Sequence, residues 1–92
     1  MPTLTGWNAR AMDAVLAERG RQDAKWGVQD HHPAIWLAIL SEEVGEAARA
    51  ILEGGETRDG LRDELVQVAA VAVAWIECMD RAALAETPEE TR

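Results

Sequence analysis

The sequence predicts a small all-α domain, on the basis of its composition, its apolar periodicity and its helix-terminating residues. Ala, Leu, Glu and Arg dominate the 92 residues, Tyr and Phe are absent, and no stretch has the β-branched alternation of a strand. A chain of this length forms one domain with a modest core, which oligomerisation often completes. We therefore expect three main helices within residues 1–85 and a mobile, charged tail over residues 86–92.

The first predicted helix runs from about Trp7 to Trp26, and its apolar residues recur at helical spacing. Thr5 is the candidate N-cap. Gly20 lies inside the helix and predicts a kink or break, because glycine costs about 1 kcal/mol relative to alanine there. Gly27 is placed to end the helix as a left-handed C-terminal glycine.

The second predicted helix begins at Pro33, which suits a first helical turn, and continues to about Leu52, before Gly54 and Gly55. Its predicted core face consists of apolar residues at helical spacing, namely Leu37, Leu40, Val44, Ala48 and Ile51. The neighbouring face carries Trp36, Ile39, Glu43, Glu46 and Ala50.

The third predicted helix begins near Thr57, with Thr57 or Asp59 as its cap, and runs to about Leu84. Gly60 in the first turn would allow a start as late as Leu61. Residues 65–76 are apolar on nearly every side, and a helix of this kind is buried on more than one side. Because two partner helices do not cover such a surface, a second subunit is expected, in a homodimer or homotetramer.

Charge and composition argue against several classes of function. The net charge is −8 and there is no stripe rich in Lys or Arg, so we expect no binding to duplex nucleic acid. The longest apolar run, residues 68–76, is far shorter than the roughly 20 residues that cross a bilayer, and no signal peptide is recognisable. The single cysteine, Cys78, cannot form an internal disulfide, so we expect a buried, inert thiol and a cytoplasmic protein.

Acidic side chains at helical spacing form the strongest candidate for a functional site. Glu43 and Glu46 lie beside the predicted core face of the second helix, and Glu64 directly precedes the most apolar stretch of the third. Carboxylates in such positions are costly unless a cation or protons compensate, although a solvated face is the ordinary alternative. Gly45, inside the same helix, suggests close packing or space for a ligand.

Two short motifs contain these residues. Residues 42–46 are Glu-Glu-Val-Gly-Glu, and residues 64–67 are Glu-Leu-Val-Gln. Together they resemble the MazG-like all-α nucleoside triphosphate pyrophosphohydrolases, whose pattern is Glu-Glu-x-x-Glu and then Glu-x-x-Asp on two antiparallel helices. The second motif departs from that pattern at Gln67, where the family usually has Asp. The stretch Arg-Gln-Asp-Ala-Lys-Trp-Gly at residues 21–27 is similar to the first-helix region of small phage-type members.

This resemblance implies hydrolysis of a nucleoside triphosphate, or its deoxy form, to the monophosphate and pyrophosphate, with water attacking the α-phosphorus. It implies that Glu43, Glu46 and Glu64 bind Mg²⁺ or Mn²⁺, with Gln67 offering an uncharged amide oxygen. Glu42 would be a further metal ligand or would orient or deprotonate the attacking water; Glu42 or Glu43 would accept the proton of that water, and the sequence does not choose between them. By analogy with phage relatives, a purine deoxynucleoside triphosphate is one candidate substrate.

Candidate substrate contacts lie near the end of the first helix and the start of the second. They are Gln22, Lys25, Trp26 and Trp36, with Arg19 and Arg21 as weaker phosphate contacts. Lys25 would contact phosphate or simply face solvent, and the two tryptophans would stack on a base or belong to the core. Two other hypotheses stay open, a non-catalytic helical dimerisation module and a regulatory nucleotide-binding protein that lost turnover through Gln67.

Overall fold

The computed structural model describes residues 5–53 and 57–86, which form three α-helices and no strand. Helix α1 spans Gly6–Trp26, α2 spans Pro33–Glu53 and α3 spans Arg58–Glu86. The predicted all-α class is confirmed, and the predicted helix ends agree with the observed ones to about two residues. Gly54, Gly55 and most of the predicted tail lie outside the described residues.

Helix α1 is continuous through Gly20, so the predicted break is wrong. A Cβ added at Gly20 or at Gly45 in α2 would meet nothing within 4 Å, which also excludes close packing as the reason for Gly45. At the C-terminus of α1, Gly27 has φ 75° and ψ −176°, a conformation essentially confined to glycine, and its N–H donates to the carbonyl oxygen of Asp23 at 2.9 Å, so it ends the helix as predicted. Thr5 precedes the helix but its side chain makes no capping hydrogen bond.

The starts of the other two helices are capped by side chains. The N–H of Ala34 donates to Nδ1 of His32 at 3.0 Å, beside Pro33 in the first turn of α2. The N–H of Gly60 donates to the Thr57 hydroxyl at 3.0 Å, which confirms Thr57 as the cap of α3. Because this bond stabilises the first turn, α3 begins at Arg58 despite the glycine.

Helix α3 is the central element, since α1 and α2 both pack on it and, within the described ranges, do not pack on each other. Helices α2 and α3 are antiparallel. Trp36 near the start of α2 lies with Cys78 near the end of α3, whereas Glu46 further along α2 approaches Glu64 near the start of α3. This arrangement leaves an open groove between α1 and α2, with α3 as its floor.

The core centres on Trp36, which is 2% exposed and packs with Val71 and Ala74 of α3. Four half-buried residues complete this cluster, namely Ile39, Leu40, Trp75 and Cys78. Cys78 is therefore half-buried rather than fully buried, and its thiol lies 3.9 Å from the carbonyl oxygen of His31.

The predicted core face of α2 is wrong in part for the single chain: Leu40 packs against the core as predicted, but most of the face is exposed. Leu37, Val44 and Ile51 are 56%, 48% and 59% exposed, while the neighbouring face, which carries Trp36, lies against α3. The physical reason is the complementary surface of α3, where small residues such as Ala74 accommodate the indole ring, the largest side chain on α2.

The chain is flat and elongated for its length. Its radius of gyration is 16.0 Å, against about 12 Å for a compact domain of this size. Its principal extents are 57, 34 and 21 Å. Over the described ranges, none of the three helices combines the length and the hydropathy that crossing a membrane requires.

Candidate metal site and adjoining groove

Three glutamates form an acidic cluster between α2 and α3. Glu43 and Glu46 come from successive turns of α2, where their spacing of three residues puts them on one side, and Glu64 comes from α3. One carboxylate oxygen of each lies within 4.8 Å of those of the other two. Oxygen ligands of a common Mg²⁺ or Ca²⁺ lie about 3–5 Å apart, so small side-chain rotations would bring this set around one divalent cation.

The electrostatics of the cluster are unfavourable without such a cation. Burial raises the pKa of the half-buried Glu43 carboxyl, and repulsion from Glu46 and Glu64 raises the pKa further. Within the part of the chain that the structure describes, none of the three forms an ion pair or a side-chain hydrogen bond. A hard divalent cation matches this donor set, because its charge would offset the repulsion among the carboxylates.

The two remaining residues of the predicted site are placed differently. Glu42 is exposed and outside the cluster, since adjacent helical residues point about 100° apart, and it acts on Glu43 only through repulsion. Gln67 is half-buried and lies on the wall of a cavity that also contains Glu43. The structure therefore brings Glu43, Glu46 and Glu64 together. Gln67 lines the same cavity as Glu43, and Glu42 lies outside the cluster.

The cavity occupies the groove between α1 and α2 and has a volume of about 90 Å³. Three of the four predicted substrate contacts line it, namely Gln22, Trp26 and Trp36. The fourth, Lys25, lines an adjoining surface depression together with Gln22, Trp26 and Gln67. The predicted contacts thus converge on one groove that leads to the acidic cluster.

The two tryptophans of this groove differ in what they can contact. Trp36 is 2% exposed and belongs to the core, so its ring faces are not open for stacking on a base. Trp26 is 55% exposed, and the ammonium of Lys25 lies 4.7 Å from the centre of its ring. This cation–π contact holds the only lysine of the chain beside an accessible aromatic surface.

Arg19 is a residue of the groove whose role the sequence analysis missed. It is 9% exposed, and its guanidinium donates to Glu77 on α3 and, within α1, to Gln22 at 3.0 Å and Asp23 at 2.9 Å. The hydrogen bond to Glu77 raises the pKa of Arg19, so the side chain stays charged. Because two carboxylates already neutralise it, Arg19 fixes α1 to α3 rather than offering a free phosphate ligand. The only sequence signal was its spacing of four residues from Asp23.

A second arginine closes one end of the groove. Arg81 of α3 donates to the Asp30 carboxylate at 2.7 Å and to the carbonyl oxygen of Gln29 at 3.0 Å, both in the α1–α2 connection. The hydrogen bond from Arg81 lowers the pKa of Asp30, so this ion pair persists across neutral pH. The connection is thereby held against the central helix.

The whole arrangement combines an uncompensated oxygen cluster with a groove that presents amide groups and one accessible aromatic ring. Comparisons of the chain with models of protein families, with curated proteins and with solved structures found no match. The chemistry that the site can perform is accordingly inferred from its own residues and their geometry.

Proposed function

We propose that this chain is a metal-dependent hydrolase that converts a nucleoside triphosphate, in ribo or deoxy form, to the monophosphate and pyrophosphate. The observation that carries the proposal is the cluster of Glu43, Glu46 and Glu64, whose three carboxylates have no cationic partner among residues 5–53 and 57–86. Such a set suits Mg²⁺ or Mn²⁺, the usual companions of phosphate substrates. The motifs at residues 42–46 and 64–67 resemble those of the MazG-like family and support the same activity.

In this proposal, Glu46 and Glu64 hold the cation together with Glu43, and the amide of Gln67 supplies or orients a further oxygen. The bound cation would neutralise the triphosphate and lower the pKa of a water molecule. Glu43 is the better candidate to accept the proton of that water, because it lines the cavity, whereas Glu42 lies outside the cluster.

The groove next to the cluster suits the nucleoside part of the substrate. Trp26 offers an exposed ring on which any base can stack, and Lys25 lies over the same ring. Gln22 and Gln67 offer amide groups that both donate and accept hydrogen bonds. Because nucleotide-sized pockets occupy about 300 Å³ or more, the cavity would hold only part of the substrate and the remainder would lie in the open groove.

A panel of nucleoside and deoxynucleoside triphosphates tests the proposal, with Mg²⁺ or Mn²⁺ present and pyrophosphate measured. We expect turnover by the natural chain and a loss of on the order of 100-fold or more in Glu46→Gln and Glu64→Gln. Glu53→Gln, an exposed position on the same helix, is the matched control and should keep full turnover. Circular dichroism should show equal helicity in all variants. Absence of pyrophosphate across the panel, or full activity of both cluster variants, would refute the proposal.

Gln67 favours one alternative, a regulatory protein that binds the nucleotide without hydrolysing it. The residue lies on the cavity wall at the position where the resembling family usually has a carboxylate. This alternative predicts nucleotide binding by the natural chain without pyrophosphate release, and a gain of turnover in Gln67→Asp. Equal activity of the natural chain and Gln67→Asp would exclude it.

A further inference from the structure

Two buried N–H donors beside the groove have no acceptor within the described part of the chain. They are Nε of Arg19 and the indole Nε1 of Trp36. The two residues are 9% and 2% exposed, so water does not replace the missing partner at the surface. Native structures leave few buried donors unpaired, because each one costs stability. Two of them at one place therefore indicate an acceptor that the single chain does not supply.

Both side chains border the same cavity, the one of about 90 Å³ in the groove. Arg19 borders it from α1 and Trp36 from α2. A cavity of this size admits several water molecules or the edge of one heterocyclic ring, but not a whole nucleotide. Trp26 lines it as well, so a base that stacks on the exposed ring of Trp26 would present one edge to the two donors.

The charges around the cavity decide which kind of acceptor fits there. The two arginines of the wall are already paired with carboxylates, Arg19 with Asp23 and Glu77, and Arg81 with Asp30. Glu43 adds a further carboxylate to the wall. An anion next to the two donors would be repelled by these carboxylates, whereas a neutral carbonyl oxygen accepts hydrogen bonds without adding charge. The acceptor that suits the cavity is therefore a carbonyl group of the base rather than a phosphate.

Asp23, on the same wall, offers the complementary acceptor. Its carboxylate receives a hydrogen bond from Arg19 at 2.9 Å and is 48% exposed, so it has lone pairs for a further donor. In guanine, hypoxanthine, uracil and thymine, a carbonyl group stands next to a ring N–H. Adenine and cytosine have an amino group and an unprotonated ring nitrogen at these two positions. Two donors beside one carboxylate match the first group of bases and oppose the second.

We propose that the groove selects nucleotides whose base has a carbonyl group at the position of O6 in guanine or O4 in uracil, and that Arg19 and Trp36 donate to this oxygen. The selection follows the carbonyl or amino character of the base, not its purine or pyrimidine ring. An amino group at this position would face two N–H donors and leave them unpaired. The inference rests on the proposed function, because it assigns one edge of the same substrate.

Two pairs of nucleotides that differ at this edge test the proposal. Inosine triphosphate is compared with adenosine triphosphate, and uridine triphosphate with cytidine triphosphate. For binding, the α,β-methylene analogues are used with Mg²⁺ in a calorimeter, because they do not release pyrophosphate. We expect the carbonyl member of each pair to bind on the order of 10-fold more tightly or better. The kcat/KM values of the four hydrolysable triphosphates should follow the same order.

Trp36→Phe removes one of the two donors and keeps an aromatic ring in the core. It should reduce the preference within each pair by on the order of 5-fold. Trp75→Phe is the matched control, because it makes the same change in the same core cluster at a residue that does not line the cavity. This variant should keep the natural preference. Should Trp36→Phe lose its helicity, 6-thioinosine and 4-thiouridine analogues take its place with the natural chain. Their sulfur is a weaker acceptor than oxygen, so they should bind less tightly than the carbonyl nucleotides.

Equal or reversed affinities within either pair would overturn the proposal, as would a Trp36→Phe variant that keeps the full preference. These failures are distinct from failure of the proposed function. Equal turnover of all four triphosphates would refute the base preference and leave the hydrolase in place. Tighter binding of the carbonyl nucleotides without release of pyrophosphate would refute the hydrolase and leave the preference in place. Absence of binding by all four would refute both.

Discussion

Glu43 occupies a position where the ionised form of its side chain costs stability. Burial and the neighbouring carboxylates Glu46 and Glu64 raise its pKa in the folded chain. A raised carboxyl pKa means that the protonated form favours folding, so its contribution is present below the ordinary pKa and is lost as the pH rises through the raised value. At neutral pH, a metal-free chain therefore carries a penalty at this residue.

Replacing this residue should remove the penalty. We expect Glu43→Gln to raise the free energy of unfolding at pH 7 in the absence of divalent cations, by less than about 1 kcal/mol for a partly exposed charge. The gain should vanish below about pH 4, where the natural glutamate is itself protonated. Urea denaturation at the two pH values measures the difference, with Glu53→Gln as a control that should show little change. A destabilised Glu43→Gln variant at neutral pH would contradict this account.

Arg19 shows the opposite situation, a buried charge that two carboxylates compensate. Its ion pair with Glu77 connects α1 to α3 across 58 positions of sequence. Asp23 provides a second carboxylate within the same helix at 2.9 Å. Because α1 makes no packing contact with α2 over the described residues, this pair contributes directly to holding α1 in place.

Arg19→Met should therefore destabilise the chain by about 2 kcal/mol, less than the 3–5 kcal/mol of a fully buried pair. The cost is reduced because the Glu77 and Asp23 side chains are 41% and 48% exposed and would regain water. Arg10→Met is the control, since Arg10 is exposed on the same helix and, among the described residues, forms no ion pair, so its replacement should change the stability by less than about 0.5 kcal/mol. Chemical denaturation compares the two. Equal losses in the free energy of unfolding would show that the buried ion pair of Arg19 does not contribute more to stability than an exposed arginine does.

At the scale of a helix, the glycines of α1 have two distinct roles. Gly20 is interior, and an added Cβ would meet nothing within 4 Å, so Gly20→Ala should stabilise the chain by about 1 kcal/mol. Gly27 has φ 75° and ψ −176°, a region essentially confined to glycine, so Gly27→Ala should cost about 1–3 kcal/mol through backbone strain. The midpoints of thermal unfolding should move in opposite directions. If Gly20→Ala were destabilising instead, the added methyl group would have to collide with something outside the single chain, because nothing within the chain lies within 4 Å of it.

The helix ends could be predicted from the sequence because their determinants are local. Gly27 ends α1, Pro33 opens α2 and Thr57 caps α3, each through groups only a few residues away. The face that α2 turns towards α3 could not be predicted in this way. It depends on how the Trp36 ring fits against the small residues of α3, and apolar periodicity does not distinguish a face buried within the chain from one left exposed.

The candidate site was predictable only in part, because it is formed by residues that lie far apart in the sequence and meet only in the folded chain. The approach of Glu64 to Glu43 and Glu46 follows from side-chain spacing once two helices are antiparallel, and the motif resemblance supplied that arrangement. The exclusion of Glu42 follows from its direction on the helix. The buried ion pair of Arg19 depends on the distant Glu77, which no local pattern indicates.

A divalent cation should stabilise the whole chain if it binds the acidic cluster. At a free concentration of about 100 times its dissociation constant, it would add about 2.7 kcal/mol to the free energy of unfolding. Because the chain has a net charge of −8, any salt also stabilises it somewhat by screening. The decisive experiment therefore measures the midpoint of thermal unfolding in MgCl₂ or MnCl₂ and compares it with the midpoint in NaCl at equal ionic strength.

The Glu64→Gln variant separates specific binding from screening. It should lose the additional rise in midpoint with Mg²⁺ or Mn²⁺ and keep the smaller rise with NaCl, because it removes one ligand and leaves the remaining acidic surface in place. EDTA should return the natural chain to its midpoint in NaCl. Equal responses of the natural chain to Mg²⁺ and NaCl would mean that the three glutamates act only as surface charge, and the proposed hydrolysis would then lack its cation.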